Sequence, residues 1–407
     1  TVEAGVAEMP TAFVASYGSG EPVIGLLAEF DALPGVSQEA VPYRKEREGN
    51  SAGHACGHHL FGTGSTAAAI AVKSWLEKTG RSGTIRVYGT PAEEGGSGKV
   101  YMVRAGLFED VDAVMYWHAG SANSVGANSN LAIISVKFRF HGVASHAAGA
   151  PFRGRSALDG VEAMDYMVNL MREHVPAETR IHYVITKGGE APNVVPAFAE
   201  VYYFVRHPQM SQVREVFDRM VAAAEGAAKG TGTTMDYEIT GGSYNLLPNE
   251  TIARTMQANL EAVGGVEYTP EERAFAEKIM ETFNSEGLQP DDAAKVEPLT
   301  ISETAGNYST DSGDVSWVAP LGSMRAATWP PGTASHSWQA VAAGGTSMGV
   351  KGMMVAAKTL ALSTVDLLQN PELIRKAQEE LERRTGENFQ YESLIGDRDP
   401  ALDYMKQ

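Results

Sequence analysis

Three imidazoles and the only thiol of the chain fall within six residues, in the run His54-Ala55-Cys56-Gly57-His58-His59. One cysteine cannot close an internal disulfide, so its uses reduce to a small buried hydrophobe, a nucleophile or a metal ligand. The neighbouring histidines favour the last, because crowded imidazole lone pairs are costly until a cation binds them. Further on, Glu93-Glu94 precede Gly95-Gly96. Such a pair directs its carboxylates to different sides of the chain, one toward a metal and one toward a water beside it. Paired Glu residues are ordinarily a solvated helix face, but this pair closes an apolar run. His118, after Tyr116-Trp117, reads equally as a core imidazole with one hydrogen bond or as a further ligand.

These groups need a scaffold, and the pattern of apolar residues supplies one. Val23 to Ala28 reads as a buried strand followed by the acidic loop Glu29-Phe30-Asp31, and Leu60 to Lys78 as a long helix starting at the Cys/His cluster. Thr84 to Thr90 and Val111 to Trp117 are strands that run into Glu93-Glu94 and His118. Every polar cluster thus lies at the carboxyl end of a strand, the edge at which open α/β sheets bind ligands. From Ile133 the order of elements changes. Strands at 133–140, 180–186, 199–205 and 233–239 alternate with helical stretches at 157–173 and 211–228 as βαββαβ. That is the signature of a ferredoxin-like unit of about one hundred residues. The expected organisation is therefore a catalytic domain in two parts, 1–132 and 244–407, with an inserted ferredoxin-like domain at 133–243. The polar stretch 269–294 reads as a surface helix and loop, and 371–384 as a charged amphipathic helix with no evident chemistry.

At 407 residues the chain exceeds what one core organises, which agrees with two domains. No apolar run is long enough to span a bilayer, and a net charge of −17 argues against nucleic acid as a partner. An anionic substrate would have to meet a locally placed cation. The lone thiol suits a reducing compartment, with cytoplasm the default, although the chain opens at Thr1 without an initiator Met and a removed leader stays open.

The runs Gly53-His54-Ala55-Cys56-Gly57-His58, Pro91-Ala92-Glu93-Glu94-Gly95-Gly96, Trp117-His118, the stretch from Ser309 to Trp317, and Gly332-Thr333-Ala334-Ser335-His336 occur in order. Together they resemble the co-catalytic metallopeptidase family of aminoacylases, hippurate hydrolases and auxin-conjugate hydrolases, and most of all its branch acting on p-aminobenzoyl-glutamate. The resemblance implies an α/β catalytic domain with an inserted ferredoxin-like dimerisation domain. It implies Cys56, His58, Glu94, His118 and His336 as ligands of two divalent ions (zinc, manganese or cobalt), with Glu93 as general base. Two departures stand out. Where many relatives carry His-x-Asp, this chain has Glu29-Phe30-Asp31, which leaves Asp31 to orient a ligand rather than bind. His59 stands where the cysteine-containing branch often has Asp or Asn.

In the inserted domain the resemblance implies that His146 reaches across a dimer to the oxyanion, and that Asn193 and Arg206 hold a substrate carboxylate. The function expected is a metal-dependent amidohydrolase releasing an amino acid from an N-acyl or N-aroyl conjugate such as p-aminobenzoyl-glutamate. A dipeptidase or an aminohydrolase of aromatic acids is the alternative within the class. The partners expected are the small-molecule substrate and a second chain, in a homodimer or a heteromer with a similar chain. A non-catalytic metal-binding subunit is the reading from another class, and Glu93 beside a full ligand set speaks against it.

Overall fold

A computed structural model describes residues 1–302 and 304–403. Its strands are β1 (Val2–Ala4), β2 (Phe13–Ser19), β3 (Val23–Glu29), β4 (Gly83–Thr90), β5 (Ala113–Gly120), β6 (Ser124–Asn128), β7 (Ala132–His141), β8 (Arg180–Lys187), β9 (Phe198–His207), β10 (Thr234–Ser243), β11 (Thr300–Ser302) and β12 (Leu321–Ala327). The helices are α1 (His58–Thr79), α2 (Gly98–Arg104), α3 (Ala157–Met171), α4 (Met210–Thr231), α5 (Glu250–Val263), α6 (Pro270–Met280), α7 (Ser312–Val318), α8 (Trp338–Gly344), α9 (Ser347–Gln369) and α10 (Pro371–Thr385).

An eight-stranded mixed sheet, in the order β1-β2-β4-β3-β5-β12-β6-β11, forms the larger layer. Its centre is parallel: β4, β3, β5 and β12 run side by side in one direction. Strand β3 is buried at every residue, as expected of a central parallel strand covered on both faces. Glu29 is the last residue of that strand and not part of the loop after it, and His118 lies within β5 rather than beyond its end. Helix α1 buries Leu60, Phe61, Gly64, Ala68, Val72 and Leu76 at helical spacing against this sheet, and ends at left-handed Gly80.

The second sheet is fully antiparallel, in the order β10-β7-β9-β8. With α3 and α4 in sequence between its strands, this is the ferredoxin-like arrangement. In β9 the residues Ala199, Val201, Tyr203, Val205 and His207 alternate inward, and the apolar ones among them share a separate hydrophobic core with α3 and α4. The C-terminal segment returns to join the two bodies: Leu394 packs in the smaller core and Ile395 in the larger one. Arg398 donates to the carbonyls of Ile239 and Thr240 in β10, and Arg104 of α2 donates to those of Gly396 and Arg398.

Helix α9 crosses β12 at Gly352, where a Cβ would run into the backbone of Ala327 and Thr328. Backbone cannot be moved aside as a side chain can, so Gly352→Ala is expected to destabilise the fold by about 1–3 kcal/mol. Thermal or denaturant unfolding of the variant checks this, with an unchanged midpoint as the contrary result.

Candidate metal centre

The loop into α1 sets the geometry of the site. Gly57, at φ 77°, is the residue before the helix, and a Cβ there would collide with Ala119. Glycine is therefore required twice, for the left-handed turn and for the close approach. That approach brings Cys56 Sγ within 3.4 Å of His118 Nε2. The neighbouring pieces are held in strained backbone: Ala92 and Ser97, on either side of Glu93-Glu94, and His336 all have positive φ. Non-glycine residues persist in that region where the surroundings over-determine them, commonly at functional sites. The His336 N–H donates to the Ala55 carbonyl, fastening the third loop to the first.

Three sets of potential ligand atoms result, each with its members within 4.8 Å of one another: Cys56, His58 and His118; Cys56, Glu94 and His336; and Glu29, His58 and Glu93. Asp31 organises them. One of its oxygens lies 2.8 Å from His58 Nδ1, and the other accepts the Glu94 N–H at 3.0 Å. This leaves His58 Nε2 facing Glu29 at 3.0 Å, while His336 Nε2 lies 3.2 Å from Glu94. Behind them Lys99, fully buried, lies 2.6 Å from Glu29 and 2.6 Å from Asp311.

The electrostatics are those of a place built for positive charge. Burial opposes ionisation of Glu29, yet Lys99 and His58 outweigh it and hold the carboxyl well below its ordinary range. Burial works against a charged His58 too, and Glu29 and Asp31 reverse that, raising it far above an ordinary imidazole. His336 is raised to about 10 by its hydrogen bonds with Cys56 and Glu94. Burial opposes the Cys56 thiolate, but the thiol is nevertheless lowered to about 6, chiefly by His118. Glu93 is pushed well up by desolvation and by the charges of Glu29 and Asp311. Both Glu29 carboxylate oxygens, His58 Nε2 and one Glu94 oxygen are buried without a hydrogen bond of good geometry. Soft sulfur, imidazole and carboxylate donors around such orphaned atoms fit a divalent transition metal.

His54 and His59 stand outside these sets. His54 Nδ1 meets the Asp31 carbonyl, His59 Nε2 meets the Gly344 carbonyl, and the two rings pack 4.7 Å apart. The inserted domain divides its residues between two places. His146, in the exposed loop after β7, and Asn193, in the exposed loop between β8 and β9, lie side by side, the Asn193 carbonyl accepting from Ala147 N–H, and neither joins the ligand sets within this chain. Arg206 lies at the opposite end of β9, roughly 30 Å along the strand. It lines a cavity of about 1040 Å³ with Arg180 and His182, and its Nε is buried without a partner. Glu29, Lys99 and Asp311 carry no expected role in the sequence. The available signal is a lone lysine directly before the apolar run Val100 to Val103.

Residues 25–313 match the family described as peptidase family M20/M25/M40. The chain belongs to this family. M20 enzymes are metal-dependent and act on amide bonds, and this member carries candidate metal-binding residues. It is 42% identical to one of the p-aminobenzoyl-glutamate hydrolase subunits of Escherichia coli, covering 95% of this chain and 85% of that protein. The Xaa-Arg dipeptidase of Mus musculus is 28% identical over 91% of this chain and 78% of its own. Among solved structures, a dinuclear metal binding peptidase of family M20 from Bacillus subtilis shares the fold, with a TM-score of 0.57 at 18% identity and coverage of 91% and 88%. The aminobenzoyl-glutamate utilization protein of Klebsiella pneumoniae does so with a TM-score of 0.61 at 20% identity, covering 87% of this chain and 74% of that one. No helix among the described residues of this M20 chain is long and apolar enough to cross a membrane.

Removing Lys99 would leave two buried carboxylates without their shared cation. Lys99→Met is therefore expected to cost about 3–5 kcal/mol in denaturant unfolding. Adding Asp311→Asn to that variant should recover part of the loss, and wild-type stability of Lys99→Met alone would contradict the expectation.

Proposed function

We propose that this M20 member hydrolyses the amide of N-acyl or N-aroyl amino acids, aminobenzoyl-glutamate-type conjugates foremost. The observation that carries the reading is the pair of ligand sets sharing Cys56, with Glu93 joined to them through His58. Cys56, His58 and His118 would hold one ion, and Cys56, Glu94 and His336 the other. Charge supports bound cations: the acidic side chains of Glu29, Asp31, Glu93, Glu94, Asp311 and Cys56 outnumber the one buried ammonium, Lys99, which is taken up by Glu29 and Asp311, and two divalent ions would offset the excess. Zinc or manganese suits this mixed donor set, with cobalt a third choice. Bound there, such ions polarise the amide carbonyl and make water more acidic.

The side chains do the rest. Glu93, beside the cluster, accepts a proton from the attacking water and returns it to the leaving amine. Asp31 keeps His58 in the orientation that presents Nε2 to the cluster. Arg206 binds the substrate carboxylate, its unpartnered Nε and its place on the large cavity supporting that role. His146 Nδ1 accepts the N–H groups of Ala148 and Gly149, which places the ring proton on Nε2 and frees it to donate to an oxyanion. Because His146 and Asn193 lie away from their own cluster, they would serve the site of a second chain. Exposed Tyr166 and Leu170 on α3, and Val184 and Ile185 on edge strand β8, suit that contact in a homodimer or in a heteromer with a similar chain. A lone ligand thiol suits the cytoplasm.

Chelation is expected to abolish amidase activity, and zinc or manganese to restore it. Glu93→Gln should lower turnover about 10²–10⁴-fold while metal content stays near normal. Glu94→Gln should lose metal as well. Equal metal loss in both variants, measured by elemental analysis, would reverse the two roles.

Co-expression of His146→Ala with Glu93→Gln chains tests the shared site. Random pairing makes half the dimers mixed with one competent site each, so about a quarter of wild-type turnover should return. No recovery in demonstrably mixed dimers would remove His146 from the partner's site.

A further inference from the structure

Beside the metal centre, on the same face of the large sheet, lies a small polar pocket of about 120 Å³. Its floor is set by register. In β12, Arg325 pairs with His118 of β5 on one side and with Ser124 of β6 on the other. Paired residues of neighbouring strands put their side chains on one face, with backbones about 4.8 Å apart. Arg325 therefore stands in the same row as a candidate metal ligand, and both line the pocket. The remaining wall is hydroxyl-rich, with Ser124, Thr300, Tyr308 and Ser323.

Among the described residues the Arg325 side chain has no carboxylate partner and makes no hydrogen bond; its contact is with the Tyr308 ring, 5.9 Å from guanidinium carbon to centroid. Asn128, also in the wall, has its side-chain oxygen buried without a partner, and an amide turned about would offer N–H there instead. A planar cation with hydroxyl donors around it binds a carboxylate bidentately. In a chain of net charge −17, an unpaired guanidinium next to a carboxylate-rich centre is the local cation that an acidic group requires.

We propose that Arg325 and this pocket bind the side-chain carboxylate of the amino acid being released, so that the enzyme selects acidic conjugates over neutral and cationic ones. The inference rests on the amidohydrolase reading above and adds a subsite to it. Arg206 lies elsewhere, on the inserted domain, and remains free for the α-carboxylate. A dicarboxylic amino acid would thus be held by two separate arginines.

The test compares N-(4-aminobenzoyl)-L-glutamate with N-(4-aminobenzoyl)-L-glutamine in metal-loaded wild type, Arg325→Gln and Arg325→Lys. Wild type should prefer the glutamate conjugate. In Arg325→Gln the ratio of kcat/KM for glutamate over glutamine should fall at least about tenfold, mainly through KM, with partial rescue by Arg325→Lys. An unchanged ratio, or a wild-type preference for the glutamine conjugate, would overturn the subsite. Calorimetric binding of L-glutamate and glutarate separates this failure from failure of the broader reading. If no conjugate is hydrolysed but glutamate binds wild type and at least about tenfold more weakly to Arg325→Gln, the subsite stands and the amidohydrolase reading falls. No binding, or equal binding to both proteins, overturns the subsite.

Discussion

One buried ammonium stands behind the whole centre. Lys99 has no access to water; it keeps Glu29 ionised where the interior would otherwise neutralise it, and offsets part of the burial that pushes Asp311 up. Glu29 in turn faces His58, and His58 belongs to two of the three ligand sets. The connection from Asp311, at the start of α7, to His58 of α1 thus passes through Lys99 on α2 and Glu29 at the end of β3, and four elements are registered against each other by charge. Such a network is costly to desolvate, and it contributes position more than stability.

Strain is concentrated around the same groups. Ala92, Ser97 and His336 sit in left-handed conformations around the carboxylates and the third histidine, while the regular strands behind them are largely buried and extended. The rigid parallel strands hold these loops in place, and it is at their carboxyl ends that backbone strain fixes the ligand atoms.

Much of this was legible in the residues. The alternation in 133–140 and 199–205, the alanine-rich helix after the histidine cluster, and the polar groups following apolar strands all report local physics, and they recur as β7, β9, α1 and the ends of β3 and β4. The ferredoxin-like order of strands followed from the succession of elements alone. What could not be read was long-range pairing. Glu29 looks like a loop acid until β3 is seen to end there, and Lys99 resembles any surface lysine until Asp311, far along the chain, is folded onto it. Arg325 gains meaning only from its register with His118, which depends on β12 lying between β5 and β6. Likewise, the sequence spacing of Asn193 and Arg206 conceals that an entire strand separates them.

The returning C-terminal segment has a consequence for how the molecule comes apart. Leu394 and Ile395 are neighbours in the chain, yet each is embedded in a different core; just after them Arg104 donates to the carbonyls of Gly396 and Arg398, and Arg398 donates to those of Ile239 and Thr240 in β10. Opening either core must pull on the residue buried in the other. Two bodies joined only by linkers can melt as independent units; a segment buried in both is expected to couple their unfolding, which makes residues 394–398 a seam between them.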